Sequence, residues 1–484
     1  MFLCLKSYLP KAWRTRNTTY PLSSQSQVVS ACETKRTSEQ KHNYQGSFGC
    51  QAIVDNNKDR SASGCSLEKS TEAFRSLARW LGSSDEDAAF WWHTTGRLLG
   101  LLLSEASYDL HSQYQALLLY NRYIVTSLGP RPADKGLHKI WKSYMTDDHS
   151  PIEFSWNWSD STKAPRIRCT MEAIPSDVDS IDHFNQGAVI QLAHRLRVTL
   201  PYSDWQLFDY FTNAFRLRPD STSEAAVQAE SRGYRSSMFL GFEFERSQVA
   251  VKAYFAPAVE TGDSQWSAIV RSVKTLERGP IEFPALFELD NFLASSPEGR
   301  QVNVEGLAID CVPLSQSRLK VYARSSLTSF DSVRTYMTIG GKLSYSETVW
   351  RQLHDLWCLL LGLDEADPME EDLPFNDHMT AGMMYNYDIK AGNALPEPKL
   401  YINIRHYGRN DLDILQGLTA FMEKHGRADF TSNYRRAVDG FCTYRSLDRE
   451  CGVQTYISCA VQNETLSLTS YLSPQVYHRS GFQS

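Results

Sequence analysis

The chain reads as an α+β fold, a ten-stranded antiparallel β-barrel surrounded by helices. Three observations lead there. Five apolar hairpins recur along the chain, segments of helical period separate them, and a Lys-x-Tyr phrase returns three times, each in the second arm of a hairpin. Five hairpins make ten antiparallel strands, and a twisted sheet of about that width tends to curl or close.

Residues 1–66 differ from the rest. They are rich in Ser, Thr, Gln, Asn and Lys without a clear period, and the first acidic residue is Glu33. They read as a disordered N-terminal extension, although an acid-poor basic start is also the composition of a transit peptide. Residues 67–484 read as a single domain. Phe74, Leu77, Ala78 and Leu81 share a helix face, a second helix covers about 90–104, and a third runs from about Tyr114 to Leu128, stopping at Gly129-Pro130.

Hairpins and helices then alternate. The first hairpin pairs Ile152–Trp158 with Ile167–Ile174, and helices follow near 187–195 and 204–215. The second pairs Met238–Phe244 with Val249–Phe255, and the third Val302–Val312 with Leu319–Ala323. Ser344 and Glu347 form a capping-box pattern that opens a helix striped by Val349, Leu353, Leu356, Trp357 and Leu360. The fourth hairpin pairs Met383–Ile389 with Leu400–Ile404; a helix from Asp411 to His425 ends at Gly426; the fifth pairs Val453–Val461 with Leu466–Tyr471.

Residues i and i+2 of a strand share a face. Lys252-Ala253-Tyr254, Lys320-Val321-Tyr322 and Lys399-Leu400-Tyr401 therefore each set a cation beside a phenol, at spacings of 68 and 79 residues. Three solvated edge strands would carry the same phrase. In a barrel that exposes its apolar strand faces to outer helices, the phrase faces the lumen, and ten strands enclose room for a ligand. Parity adds Arg168 and Arg318 to this lumen, and Glu153 with Ser155 and Asn157. Phe154, Trp156 and Trp158 fall on the outer face as packing. Five buried cations call for an anion such as a diphosphate, or for internal carboxylates such as Glu172. The phenol rings suit a developing carbocation.

Bulk properties exclude other classes. A net charge of −6 gives no reason to expect nucleic acid or an anionic membrane surface as partner. None of the ten cysteines forms a Cys-x-x-Cys pair and no uninterrupted apolar run has the length of a membrane span, so a cytoplasmic protein with reduced thiols is expected. Phosphate-binding loops and a nucleophile elbow are absent from the sequence. The acidic run from Asp364 to Asp372 reads as a solvated loop, and His138, His149 and His183 as isolated histidines.

The ordered set Ser150-Pro-Ile-Glu153-Phe-Ser-Trp-Asn-Trp158, Arg168-Cys-Thr-Met-Glu172, Lys252-Ala-Tyr254, Arg318-Leu-Lys320-Val-Tyr322, Lys399-Leu-Tyr401 and Tyr456-Ile-Ser458 resembles the fungal aromatic prenyltransferases of the dimethylallyltryptophan synthase type. The resemblance runs from about Leu67 to the C-terminus and implies the αββα prenyltransferase barrel. It implies that Arg168, Lys252, Arg318, Lys320 and Lys399 hold a prenyl diphosphate, that Tyr254, Tyr322 and Tyr401 shield the allyl cation, and that Glu153 assists proton loss from the acceptor. It implies Met384 as the residue limiting prenyl length, which favours dimethylallyl diphosphate over geranyl diphosphate, and no essential metal or other cofactor.

Departures from that pattern bear on the acceptor. In the last hairpin, where the family often supplies another Arg and Tyr, this chain has Gln462 and Thr465-Leu466, so grip and shield each stand one member short. Glu243, Glu245 and Glu305 lie where basic groups would favour free tryptophan. A neutral polyhydroxylated polycyclic aromatic of polyketide type is the expected partner beside dimethylallyl diphosphate. An indole alkaloid or cyclic dipeptide is the next choice, and a non-catalytic carrier on the same barrel the third. The expected state is monomer or homodimer.

Overall fold

Strand β1 (Ile152–Trp158) pairs on one side with β2 (Arg166–Met171) and on the other with β10 (Thr465–Leu472), and that second pairing closes the sheet. Between them run β3 (Met238–Phe244), β4 (Val249–Phe255), β5 (Val302–Asp310), β6 (Arg318–Ser325), β7 (Met383–Lys390), β8 (Glu397–Ile402) and β9 (Gln454–Gln462), each hydrogen-bonded to its neighbours in sequence. All ten strands are antiparallel and the barrel is closed, as expected. This computed structural model describes residues 70–82, 85–132, 141–159, 163–177, 182, 184–216, 236–259, 263–277 and 281–479. The expected extension 1–66, His138 and His183 lie outside the described residues.

Parity assigns the faces. Phe154, Trp156 and Trp158 are fully buried on the outside of β1. There Trp158 meets Tyr434 of the helix Thr431–Phe441 edge-on at 5.0 Å, and Phe154 meets Phe441 at 5.8 Å. A β-bulge in β5 falls between Val304 and Gly306. A Cβ at Gly306 would come within 2.5 Å of the Phe255 carbonyl oxygen, so the bulge needs glycine there.

Helix boundaries moved where caps dictate. The second helical segment begins at Glu86 because Asp85 accepts hydrogen bonds from the backbone N–H groups of Asp87 and Ala88. The third begins at Leu110 because Asp109 caps Ser112 N–H. Both continue through π-turns, Trp92–Gly96 and Tyr120–Ile124. The expected capping box at Ser344 is corrected: Ser346 is the cap, and Glu347 is the first helical residue, where its charge favours the helix N-terminus. Among the described residues, four helices of nine or more residues went unanticipated, Gln265–Leu276, Pro284–Ser295, Phe330–Thr338 and Thr431–Phe441, as did the short Ile404–Tyr407 and Val476–Arg479. Among the described residues no helix is long and apolar enough to cross a membrane.

Glu172 does not serve the lumen, contrary to the expectation that it neutralises cations there. It lies beyond the end of β2, fully buried, and accepts hydrogen bonds from Ser143 Oγ (2.6 Å), Tyr144 N–H (3.1 Å), Trp141 Nε1 and Ser236 Oγ. It therefore anchors the 141–150 segment, which brings Tyr144 to the lower end of the lumen.

Candidate active site

The strand ladder stacks the Lys-x-Tyr phrases into two layers. Lys252, Lys320 and Lys399 line one cavity of about 270 Å³, together with Arg166, Arg168 and Arg318. Two residues further along the same strands, Tyr254, Tyr322 and Tyr401 line that cavity and also a second one of about 190 Å³. Glu153 and Met384 line only the second. A layer of phenol rings thus stands between a cationic cavity and the cavity that holds the carboxylate. The structure brings together all ten residues singled out from sequence, in two adjoining chambers.

The cations do have internal carboxylate partners, the alternative open from sequence, but these are residues other than Glu172. Glu243 forms ion pairs with Arg166 Nη1 (2.6 Å), Arg168 Nε (2.9 Å) and Lys252 Nζ (2.6 Å). Asp310, opposite Lys252 in the ladder, takes Lys320 Nζ and Arg318 Nε (3.0 Å), and Asp388 takes Arg318 Nη1 (2.9 Å). Glu243 was weighed as an acceptor-side residue; it belongs instead to the cationic chamber. Six cations and three carboxylates (Glu243, Asp388 and Glu397) line the chamber, and Asp310 pairs with Lys320 and Arg318 from outside that lining, so positive charge is in excess when all are ionised.

That excess sets the protonation behaviour. Burial would raise Glu243, but Arg168, Lys252 and Arg166 hold its carboxyl well below the usual range. Burial, and then the charge of Arg168, push Lys252 down to about 7. Lys399 is likewise pushed down to about 7 by burial and Arg168; its Nζ lies 5.5 Å from the Tyr401 ring centroid. An anion entering the chamber would stabilise the charged form of both lysines. Asn386 is 2% exposed and lines the same chamber, and among the described residues its Nδ2 has no hydrogen-bond partner.

The ring layer is larger than the three phrases implied. Tyr254 and Tyr322 lie 5.9 Å apart, Tyr322 and Tyr401 6.1 Å, and Tyr401 and Tyr471 5.5 Å. Tyr471 supplies the fourth ring, so the expectation of a shield one member short is corrected. It sits at the far end of β10 rather than at Thr465-Leu466 beside the turn. Gln462 lines the cationic chamber at the position expected to hold an Arg. Gly241 makes room for this layer, because a Cβ there would meet the Tyr254 ring at 3.0 Å.

In the second chamber, Thr455 Oγ1 donates to Glu153 Oε1 at 2.6 Å. Burial raises the Glu153 carboxyl to about 7, against the pull of that hydrogen bond and of the Arg405 charge. Arg324 forms a bidentate pair with Glu305 (2.6 and 3.1 Å), and Arg405 pairs with Asp147 (3.1 Å). Arg405 also donates to the Tyr456 hydroxyl at 2.9 Å. Met384 is the cross-strand neighbour of both Tyr401 and Arg324.

The arrangement is able to bind an anion, leave an electron-poor carbon against ring faces, and accept a proton below them. Comparison with known proteins agrees. The tryptophan dimethylallyltransferase family model matches residues 87–437. Prenyltransferase fogH of Aspergillus ruber is 35% identical over 433 residues, covering 85% of this chain and 97% of its own. Xanthone prenyltransferase B of Emericella nidulans is 31% identical over 437 residues, covering 84% of this chain and 92% of its own. A 7-dimethylallyltryptophan synthase of Aspergillus fumigatus is 30% identical over 407 residues, covering 80% and 85%. The crystal structure of AnaPT from Neosartorya fischeri superposes with a TM-score of 0.72 at 24% identity, covering 84% of this chain and 98% of that one. The chain belongs to the tryptophan dimethylallyltransferase family and is an aromatic prenyltransferase of the fungal dimethylallyltryptophan synthase type.

Proposed function

We propose that the protein transfers a dimethylallyl group from its diphosphate to an electron-rich carbon of a neutral, hydroxylated polycyclic aromatic of polyketide type. The observation that carries this reading is the tyrosine layer with a surplus of cations above it and Glu153 below. Arg168, Lys252, Arg318, Lys320 and Lys399 bind the diphosphate, and Asn386 Nδ2 donates to it. The C–O bond of the donor breaks and its electron pair leaves with the diphosphate, whose growing charge the cations stabilise. The allyl cation stays against Tyr254, Tyr322, Tyr401 and Tyr471, which attract it through their ring faces and exclude water. An aromatic π pair forms the new C–C bond, and Glu153 in its carboxylate form takes the proton released on rearomatisation. No metal is needed in this scheme, because Arg and Lys supply the charge neutralisation.

The acceptor class rests on the paired arginines of the lower chamber. Arg324 is engaged by Glu305 and Arg405 by Asp147. An amino-acid carboxylate entering there would have to compete with a carboxylate already in place, whereas a neutral phenolic ring would not. The likeness to xanthone prenyltransferase B supports the same choice. The likeness to a 7-dimethylallyltryptophan synthase, and to NotF, whose structure holds brevianamide F and DMSPP, supports an indole acceptor as the second reading.

The test is turnover of dimethylallyl diphosphate with a panel of hydroxyxanthones, hydroxyanthraquinones, tryptophan and cyclic dipeptides in the presence of EDTA, followed by mass spectrometry and diphosphate release. A hydroxylated polycycle is expected to show kcat/KM at least about tenfold above tryptophan, about 1.4 kcal/mol of transition-state preference. A preference of that size for an indole would overturn the acceptor assignment, and complete loss of turnover in EDTA would overturn metal independence.

A further inference from the structure

A group of metal-ligating side chains sits at the rim of the lower chamber and takes part in no chemical step of the scheme above, where Asp147 serves only as the partner of Arg405. Asp147, His378 and His406 offer ligand atoms that all lie within 4.8 Å of one another. The Thr380 hydroxyl sits among them, 2.7 Å from His378 Nδ1, 2.8 Å from His406 Nε2 and 3.3 Å from Asp147 Oδ1.

His378 Nδ1 receives the Thr380 backbone N–H at 3.2 Å, so it faces the group as a lone pair. His406 Nε2 lies 2.8 Å from the Thr380 hydroxyl and 3.3 Å from Asp147 Oδ2, and with its proton on Nδ1 it presents a second lone pair beside the Asp147 carboxylate. A cation selects that tautomer, in which His378 Nδ1, His406 Nε2 and an Asp147 oxygen converge as electron-pair donors.

We propose that Asp147, His378 and His406 bind one divalent transition-metal ion of the Zn²⁺ class, and that the bound ion slows acceptor turnover. Two imidazoles and one carboxylate match that class, whereas Mg²⁺ and Ca²⁺ favour oxygen ligands throughout. Ligands of a tetrahedral Zn²⁺ stand about 3.4 Å apart, given bonds of about 2.1 Å. The group must therefore close slightly, with the Thr380 hydroxyl giving up its bonds to the two imidazoles, and His378, exposed on the segment before β7, leaves the group open to ions from solvent. The effect on turnover follows from Asp147. Its carboxylate also holds Arg405, which donates to the Tyr456 hydroxyl, and Arg405 and Tyr456 line the acceptor chamber. Recruiting Asp147 to a metal withdraws charge from Arg405 and loosens that wall.

The binding part stands on its own, and only the effect on turnover rests on the acceptor chamber proposed above. Full-length protein, stripped with EDTA and dialysed, is titrated with Co²⁺ and read by its visible d–d absorption, with Zn²⁺ binding followed by calorimetry. One equivalent is expected to bind the wild type, and His378→Ala to weaken binding by about tenfold or more. Zn²⁺ should slow prenylation by wild type but not by His378→Ala, whose metal-free rate should equal that of wild type. Absence of a stoichiometric Co²⁺ spectrum, or undiminished binding by His378→Ala, overturns the site. Stoichiometric binding with an unchanged prenylation rate overturns the effect on turnover and leaves the acceptor assignment untouched.

Discussion

The Thr455 hydroxyl donates to Glu153 Oε1 at 2.6 Å, linking β9 to the carboxylate that lines the lower chamber. A hydrogen bond to the charged form of an acid lowers its pKa. Thr455→Val keeps the shape and removes the donor, so the Glu153 carboxyl should rise further above its present value of about 7. With Glu153 proposed to act as the carboxylate, kcat should increase with pH through that value and level off above it. The variant should move this acid limb up by about 0.5–1 unit. A kcat–pH profile is the measurement, and an unmoved limb would count against Glu153 as the base.

Glu153→Gln should lower kcat by about 10²–10⁴ and leave donor affinity unchanged. It should also change stability in a pH-dependent way. The folded carboxyl titrates near 7 against an unfolded value of 4.5, so the native state holds its proton more tightly. The stability this contributes is fully present below the unfolded value and is lost as pH rises through about 7, with an upper bound of about 3 kcal/mol. Glu153→Gln should therefore raise the unfolding midpoint at pH 8 and change it little at pH 4.5. Equal shifts at both pH values would mean that the carboxyl is not desolvated in the folded protein.

Much of this site follows from a period of two. Lys252 and Tyr254, Lys320 and Tyr322, Lys399 and Tyr401 had to share faces once their segments were strands, and the apolar alternation made them strands. The counter-charges were not legible in the same way. Asp310 opposes Lys252 and Asp388 opposes Lys320 only through cross-strand register, which depends on loop lengths and on the bulge at Val304–Gly306. Tyr471 could have been found by counting Thr465, Ser467, Thr469 and Tyr471 along one face of β10.

Removing a ring from the tyrosine layer should let water reach the allyl cation. Tyr322→Ala and Tyr401→Ala are expected to increase the ratio of dimethylallyl alcohol to prenylated product several-fold, while Tyr401→Phe, which keeps the ring face, leaves the ratio near wild type. Quantifying both products by chromatography decides this. A ratio unchanged in both alanine variants would remove the shielding role.

Met384 lies beside Tyr401 in the ladder and lines the lower chamber. Met384→Gly should open space for a longer chain and raise kcat/KM for geranyl diphosphate relative to dimethylallyl diphosphate by about tenfold or more, since several methylenes are worth about 1–3 kcal/mol each. Competition between the two donors reads the ratio directly, and no change would place the length limit elsewhere.

The helices missed from sequence carried readable signals. Ser264 caps Ser267 N–H, Pro284 opens its helix at the first position, and Ser329 caps Ser332 N–H. Their apolar stripes are short, however, and their packing against the barrel supplies stability that local pattern does not record. The boundary errors at Glu86, Leu110 and Ser346 have the same origin, because a cap is set by one side-chain hydrogen bond rather than by periodicity.

The ring layer is proposed to divide the lumen into a donor chamber and an acceptor chamber. Calorimetric binding of the unreactive dimethylallyl thiodiphosphate to wild type, Lys252→Ala, Arg318→Ala and Glu153→Gln decides this. Each lost charge-assisted contact is worth about 1.5–3 kcal/mol. Lys252→Ala and Arg318→Ala should therefore weaken binding about tenfold or more, while Glu153→Gln, on the other side of the rings, binds as wild type does. Equal affinity across all four proteins, or a loss confined to Glu153→Gln, would contradict the division.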